Sequence, residues 1–511
     1  MTQPNTRDVA TARKPLIARI APIDLWLVVI LAVALLIRLY DIGSPLSDFS
    51  SWRQIDTASI ARNFVLHDFN IFHPQLDYDG PGPNYSQLEL QITTAFIALL
   101  FKFVGMRELY ARIIPVLFSL GAIIYLYLLI RHYSSRAAAN MSAFLFAILP
   151  MSIYYSRAVQ PEAAMLFFGI GSLYYASVWA EKQTRQAYAV MLVFGILSVL
   201  AKLPNIFLFL PVLVIARERL RNNVWRDRRL ILYFGIILAV TAAYFGYLGW
   251  LVKNFGSPYD YRNYLHPGVQ TGNFVANIMQ KHILPELLTA FQSTQASGYF
   301  TRYLPGLALT PIGFILLLIG FLPLKIFGDD RVKIQPLYAW LAAILIYMLT
   351  LVAIVRIDYY LVPLLPIAAF FMARSLIGLS RVRLKRVAVG WVAVAVIVGG
   401  LAYQSYGLAA PLYEQNTVPH LYGADLNQEL RVGEPVVLGS YNPVILFYSG
   451  HRGWRATKIS LKELRFLESK GAGYFIPINA EQDKALQQYL ATNLTKHVTR
   501  HGCVYYDLKE K

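Results

Sequence analysis

One stretch of the chain, SDFSSWRQIDTASIARNF (residues 47–64), places Asp48, Arg53, Asp56 and Arg62 close together. Residues of these types can do two things: a carboxylate can take a proton from a hydroxyl, and a planar guanidinium can hold two oxygens of a phosphate. In WRQIDTASIARNF the apolar residues Trp52, Ile55, Ala58, Ala61 and Phe64 recur at every third position, and Arg53, Asp56 and Thr57 share the other side. That spacing predicts a helix lying flat at a membrane interface with its polar side toward protein or water. A merely solvated face fits the same charges.

Other candidates lie further along. Seven of the 29 acidic residues fall between Asp41 and Glu89: Asp41, Asp48, Asp56, Asp68, Asp77, Asp79 and Glu89. In YYSRAVQPEAAMLFF (154–168), Glu162 opens a helix behind Pro161, either as ordinary N-terminal chemistry or as an acid held at the membrane boundary. Lys202, in LAKLPN, breaks two apolar runs and reads as a snorkelling lysine or a phosphate-binding cation. Arg356, Asp358, Tyr359 and Tyr360 cluster in VRIDYYLVPLLP, as a site or as part of an aromatic belt. Together these acids, cations and tyrosines predict a site at headgroup depth, whereas transporters tend to keep ionisable groups at the bilayer midplane.

The elements that must position them belong to a membrane protein. A hydrophobic content of 56% over 511 residues lies outside the soluble range. The formal charge of +18 falls in short clusters between apolar runs, which marks topology rather than nucleic-acid binding. A single cysteine, Cys503, excludes a disulfide framework. Eleven apolar runs are long enough to suggest spans: 21–39, 109–131, 137–155, 162–180, 187–201, 203–216, 230–250, 305–325, 336–355, 360–378 and 387–404. A basic stretch, 1–20, precedes them on the cytoplasmic side, and the first run is expected to be a retained helix rather than a cleaved signal. The positive-inside rule then puts 41–107, 251–304 and the tail from 405 on the outer face. LELQITTAFIALLFKFVG (88–105) is left over and reads as an interfacial helix.

The tail, 405–511, changes character. Ser460 with Glu463 and Asn479 with Gln482 read as capping boxes, and VVLG (436–439), GYFIP (473–477), LTKHV (494–498) and CVYYD (503–507) read as strands. The expectation is an all-α polytopic membrane protein with a small C-terminal α/β extracytoplasmic domain.

WRQ with DTASIARNF, HPQLDYDGPGPNYSQLEL (73–90), YYSRAVQPEAAMLFF, LAKLPN and DYYLVPLLP resemble the multi-spanning GT-C glycosyltransferases, specifically bacterial proteins grouped with family 39. Relatives in that group include protein O-mannosyltransferases and lipid A aminoarabinose transferases. The resemblance covers roughly 20–405 and implies a cell inner membrane enzyme. Such an enzyme moves a sugar, a hexosyl or pentosyl group, from a polyprenyl-phosphate carrier to a hydroxyl of a lipid, glycan or protein, normally with inversion. It implies that one carboxylate among Asp56, Asp77 and Asp48 accepts the proton, with Glu162 beside it. Arg53, Lys202 and Arg356, helped by Tyr359 or Tyr360, would face the lipid phosphate. A carboxylate next to these cations is expected to stay ionised near neutral pH.

Relatives usually carry an Asp-Glu pair where this chain has Arg53 and Gln54. Glu89 matches a Glu-Lys-Pro that contributes to a metal or phosphate site in some relatives, although Leu90 and Gln91 replace the Lys and Pro here. His266 is its candidate metal partner or a solvated loop histidine. No cofactor is required by these residues, and a divalent cation is the one left open. The reading from a different class is a transporter or flippase for a polyprenyl-linked substrate. A third is a non-catalytic membrane scaffold.

Overall fold

The computed structural model describes residues 24–86, 88–255, 299–327, 333–352, 357–383 and 389–509. Among these the apolar runs fold as helices: α1 (Leu25–Leu39), α4 (Glu108–Tyr133), α5 (Arg136–Ile148), α6 (Pro150–Tyr155), α7 (Glu162–Lys182), α8 (Arg185–Ala201), α9 (Phe209–Leu220), α10 (Arg228–Phe255), α11 (Pro311–Phe321), α12 (Gln335–Tyr347), α13 (Leu365–Ser380) and α14 (Val389–Ala409). Between α1 and α4 lie α2 (Ser51–Leu66) and α3 (Ile92–Val104). The large apolar side chains Trp391, Val392, Val396 and Tyr403 of α14 point outward, as lipid requires and water penalises. The protein is a multi-pass membrane protein.

The helices differ from the eleven runs in one respect. By length and composition five described helices can each cross a membrane, or six if the pair Arg302–Ala308 and Pro311–Phe321, bent by 103°, counts as one span. Prolines cause several of the breaks. Pro150 separates α5 from α6, Pro204 diverts the chain after α8 into a 3-10 turn (Leu203–Leu208), and Pro311 starts α11 at the sharp bend.

The two-faced helix expected over WRQIDTASIARNF is also corrected. In α2 Arg53, Gln54, Ile55, Asp56, Thr57, Ala58, Ser59, Ile60, Ala61, Asn63 and Phe64 are all buried, so protein surrounds it. Its apolar side chains join a core with Ile97 of α3 and with Leu438, Leu446 and Ile476 of the C-terminal region. A buried Ile55 or Phe64 contributes about 1.5–3 kcal/mol of apolar transfer, which fastens α2 between two partners. Helix α3 packs on α2 through Thr94, Ile97, Ala98 and Phe101 and turns Phe96, Leu99 and Phe103 outward. An interfacial helix needs such a split.

The C-terminal region holds both helices and strands. After α15 (Thr417–Glu429) come β1 (Val436–Leu438), α16 (Val444–Ser449), β2 (Gly453–Arg455), β3 (Lys458–Ile459), α17 (Leu461–Ser469), β4 (Tyr474–Ile476), β5 (Glu481–Gln482), α18 (Lys484–Asn493), β6 (Lys496–Val498) and β7 (Val504–Asp507). The five-stranded sheet runs β2-β1-β4-β7-β6, with β2, β1 and β4 parallel and β7 and β6 antiparallel. Strand alternation sorts the two faces. Val436, Leu438, Tyr474 and Ile476 pack toward α2, while Val437 and Phe475 pack under α17 and α18.

Ser460 and Glu463 form the expected capping box. Asn479 and Gln482 do not: Gln482 lies in β5, and Asp483 caps α18 instead. Strand β2 was not expected from the sequence.

Candidate active site

Arg53 and Asp56 stand one helical turn apart on α2, a spacing that puts both on one face. Arg53 forms an ion pair with Glu89, which lies just ahead of α3. Asp56, 3% exposed, accepts a hydrogen bond of 2.8 Å from the Tyr78 hydroxyl. Glu162 is the first residue of α7, behind Pro161, and forms an ion pair with Lys202 at the end of α8. The Lys202 ammonium lies 4.2 Å from the ring centre of Tyr359 and 4.8 Å from that of Tyr360.

The two pairs are parts of one cluster. Arg53 lies within electrostatic range of Glu89, Tyr359, Asp56 and Glu162. The structure therefore brings together Arg53, Asp56, Glu89, Glu162, Lys202, Tyr359 and Tyr360. Among the described residues, buried Glu162 Oε2 has no hydrogen-bond partner. Arg356 and His266 lie outside the described residues.

Asp48 and Asp77 make ion pairs of their own. Asp48 meets Arg112 at 2.9 Å and Arg157 at 3.6 Å, and also accepts from Gln54 and Tyr154. Two arginines and a carboxylate with almost no exposure form a support beneath the N-terminus of α2. Asp48→Ala is expected to lower unfolding stability by about 3–5 kcal/mol, since two buried cations lose their counter-charge. Thermal unfolding in detergent checks this, and an unchanged midpoint would contradict the support role. Asp77 meets Arg62 at 2.6 Å and Asn63 at 3.0 Å, about two turns along α2 from Asp56.

Sequence reasoning missed Tyr78 and Arg455. The Arg455 guanidinium lies 3.4 Å from the centre of the Tyr78 ring and 4.8 Å from that of Tyr441. Tyr78 sits between two aspartates in LDYDG, where alternation was the available signal. An arginine in the three-residue strand β2 gave none.

Burial pushes the Asp56 carboxyl up to about 7, against the pull of Arg53, the Tyr78 hydroxyl and Arg455, with Asp77 adding to the rise. Desolvation outweighs the adjacent cations that were expected to keep the acid ionised near neutral pH. If the ionised form accepts the proton, the rate rises as pH rises through about 7 and levels off above it. A pH–rate profile tests this; a flat profile between about pH 5.5 and 8.5 would contradict it.

Among the described residues no group of three or more His, Cys, Asp or Glu side chains converges, and Glu89 and Glu162 each face a cation of the protein. No step below is routed through a metal.

The fold, a helical body with an α/β unit after it, is that of the GT-C membrane glycosyltransferases. A family profile described as dolichyl-phosphate-mannose-protein mannosyltransferase matches residues 92–247. No curated protein sequence matches at a significant level.

Among solved structures, the chain is similar to ArnT from Cupriavidus metallidurans bound to undecaprenyl phosphate, with TM-score 0.58 and 15% identity over 94% of this chain and 97% of that one. It is similar also to the Archaeoglobus fulgidus oligosaccharyltransferase tethered with an acceptor peptide, with TM-score 0.54 and 14% identity over 88% of this chain and 69% of that one. The archaeal oligosaccharyltransferase AglB from Archaeoglobus fulgidus, in complex with an inhibitory peptide and a dolichol-phosphate, matches with TM-score 0.54 and 13% identity over 94% and 74%.

Proposed function

We propose that the protein is a glycosyltransferase that takes a sugar from a polyprenyl-phosphate carrier and passes it to an acceptor hydroxyl on the extracytoplasmic face. The observation that carries this reading is the convergence of Arg53, Lys202 and Tyr360 with a buried carboxylate, Asp56, between the helical body and the C-terminal unit. A lipid-linked donor keeps its tail among apolar helices and its phosphate at their ends, so cations there suit it. The relatives in fold support the same substrate class, because ArnT was solved with undecaprenyl phosphate and AglB with a dolichol-phosphate.

In the step we propose, the acceptor oxygen bonds to the anomeric carbon as the bond from that carbon to the phosphate oxygen breaks. The acceptor proton passes to Asp56, and the bonding electron pair leaves with the polyprenyl phosphate. Arg53 and Lys202 neutralise the charge that develops on the phosphate, exchanging part of their contact with Glu89 and Glu162 for phosphate oxygens. The basic clusters 217–229 and 381–386 support placing the opposite ends of the helices in the cytoplasm of a cell inner membrane.

The experiment is to incubate the purified protein with polyprenyl-phosphate sugars and lipid, glycan or peptide acceptors, in detergent and in vesicles. The expected result is free polyprenyl phosphate in proportion to glycosylated acceptor. Movement of intact donor across vesicles with no such release would establish a flippase instead.

A further inference from the structure

The chemistry so far uses residues of the helical body and of 41–107, but the C-terminal unit reaches the same place. Strand β2 is the edge of the five-stranded sheet, and its Gly453 binds residues 77–80 through the main chain. The Gly453 N–H donates to the Asp77 carbonyl at 3.0 Å, and the Gly80 N–H donates to the Gly453 carbonyl at 2.9 Å. The segment carrying Tyr78 is thus laid along the sheet edge, which leaves that edge covered. Glycine is required there, because a Cβ on residue 453 would stand 1.8 Å from the Val436 carbonyl oxygen.

Two residues further on, Arg455 covers the face of Tyr78. The guanidinium is itself held, donating to the Tyr441 carbonyl at 2.9 Å and facing Asp79 at 3.7 Å, and the residue is 6% exposed. On the other side of the ring system the Tyr78 hydroxyl donates to Asp56. A cation over a ring and a hydroxyl on a carboxylate fix both the plane and the tip of one side chain.

We infer that the C-terminal unit completes the active site, with Arg455 acting as a positioning residue that holds the Tyr78 ring and, through its hydroxyl, the Asp56 carboxylate. The inference rests on the glycosyl-transfer reading only for its catalytic meaning; the geometry stands without it. The charged and titratable groups facing Asp56 are Arg53 on its own helix, Tyr78 and Asp77 on the following segment, and Arg455 from β2. Arg455 is the one supplied by the C-terminal unit.

The test follows the protonation of Asp56 in the full-length protein by infrared titration between about pH 5 and 9, with the band assigned by its loss in Asp56→Asn. Arg455→Gln is expected to move the Asp56 midpoint up by roughly one pH unit, and Tyr78→Phe to move it the same way. The double variant should shift less than the two shifts added, because part of the effect of Arg455 passes through the ring. Arg455→Lys, which keeps the charge but loses the planar stack, should give a smaller rise, and it decides the matter if Arg455→Gln does not fold.

A structural tie alone would lower thermal stability and leave the midpoint in place, and that result would overturn the inference. The readout needs no transfer activity. If no donor is turned over yet the midpoint moves, the proposed function falls and the positioning role remains.

Discussion

Exchanging Asp56 for asparagine is expected to leave the fold intact and slow sugar transfer by about 10²–10⁴-fold, the usual contribution of a placed general base. The asparagine carbonyl can still accept the 2.8 Å hydrogen bond from the Tyr78 hydroxyl, so the packing around α2 has no reason to change. Proton acceptance is what disappears. Asp77→Asn should have a smaller effect on rate, because Asp77 is held by Arg62 and Asn63 and not by the cluster around Arg53. Single-turnover rates of the two purified variants decide between them. Full activity in Asp56→Asn with inactivity in Asp77→Asn would move the base two turns along the helix.

The second large effect concerns Lys202. Removing it as Lys202→Ala strands Glu162, which is 1% exposed, without its cation, and the expected cost is about 3–5 kcal/mol of stability. The double variant Lys202→Met/Glu162→Gln should regain most of that stability, since no charge is left buried alone and the methionine stem still packs on Tyr359 and Tyr360. Transfer should stay low in both, because the proposed phosphate site has lost the Lys202 ammonium. Thermal unfolding and turnover are read on the same samples. Recovery of transfer along with stability would mean that Lys202 serves the fold only.

Much of this site was legible in the sequence for a physical reason. Charges are costly beside lipid, so Arg53, Asp56, Glu89, Glu162 and Lys202 stood out against long apolar runs, and most such residues in a membrane protein have partners. Pairing was a different matter. Nothing in the sequence matches Arg53 with Glu89 rather than with Asp56, because the match depends on how α2 and α3 cross.

Asp48 shows the same limit from the other side. It looked like its neighbours in the chain, yet it is paired with the buried Arg112 and Arg157, arginines that lie more than 60 residues away in sequence. The alternation rules found β1, β4, β6 and β7, whose residues are rich in Val, Tyr, Phe and Ile. Strand β2, Gly-Trp-Arg, escaped because a glycine and an arginine flank its one β-favouring residue, and with it went Arg455. The spacing within α2 predicted an apolar side at the interface and a polar side toward protein or water. Its true environment comes from the C-terminal sheet folding back across more than 350 residues of chain, which no local period reports.

The central claim is that the lipid phosphate sits on Arg53 and Lys202 beside Asp56. The most direct measurement is a cryo-electron microscopy map of the protein in lipid nanodiscs with undecaprenyl phosphate added. Phosphate density is expected within about 3 Å of the Arg53 guanidinium and the Lys202 ammonium, with Glu89 and Glu162 partly displaced. Phosphate bound at another place, with both ion pairs undisturbed, would contradict it.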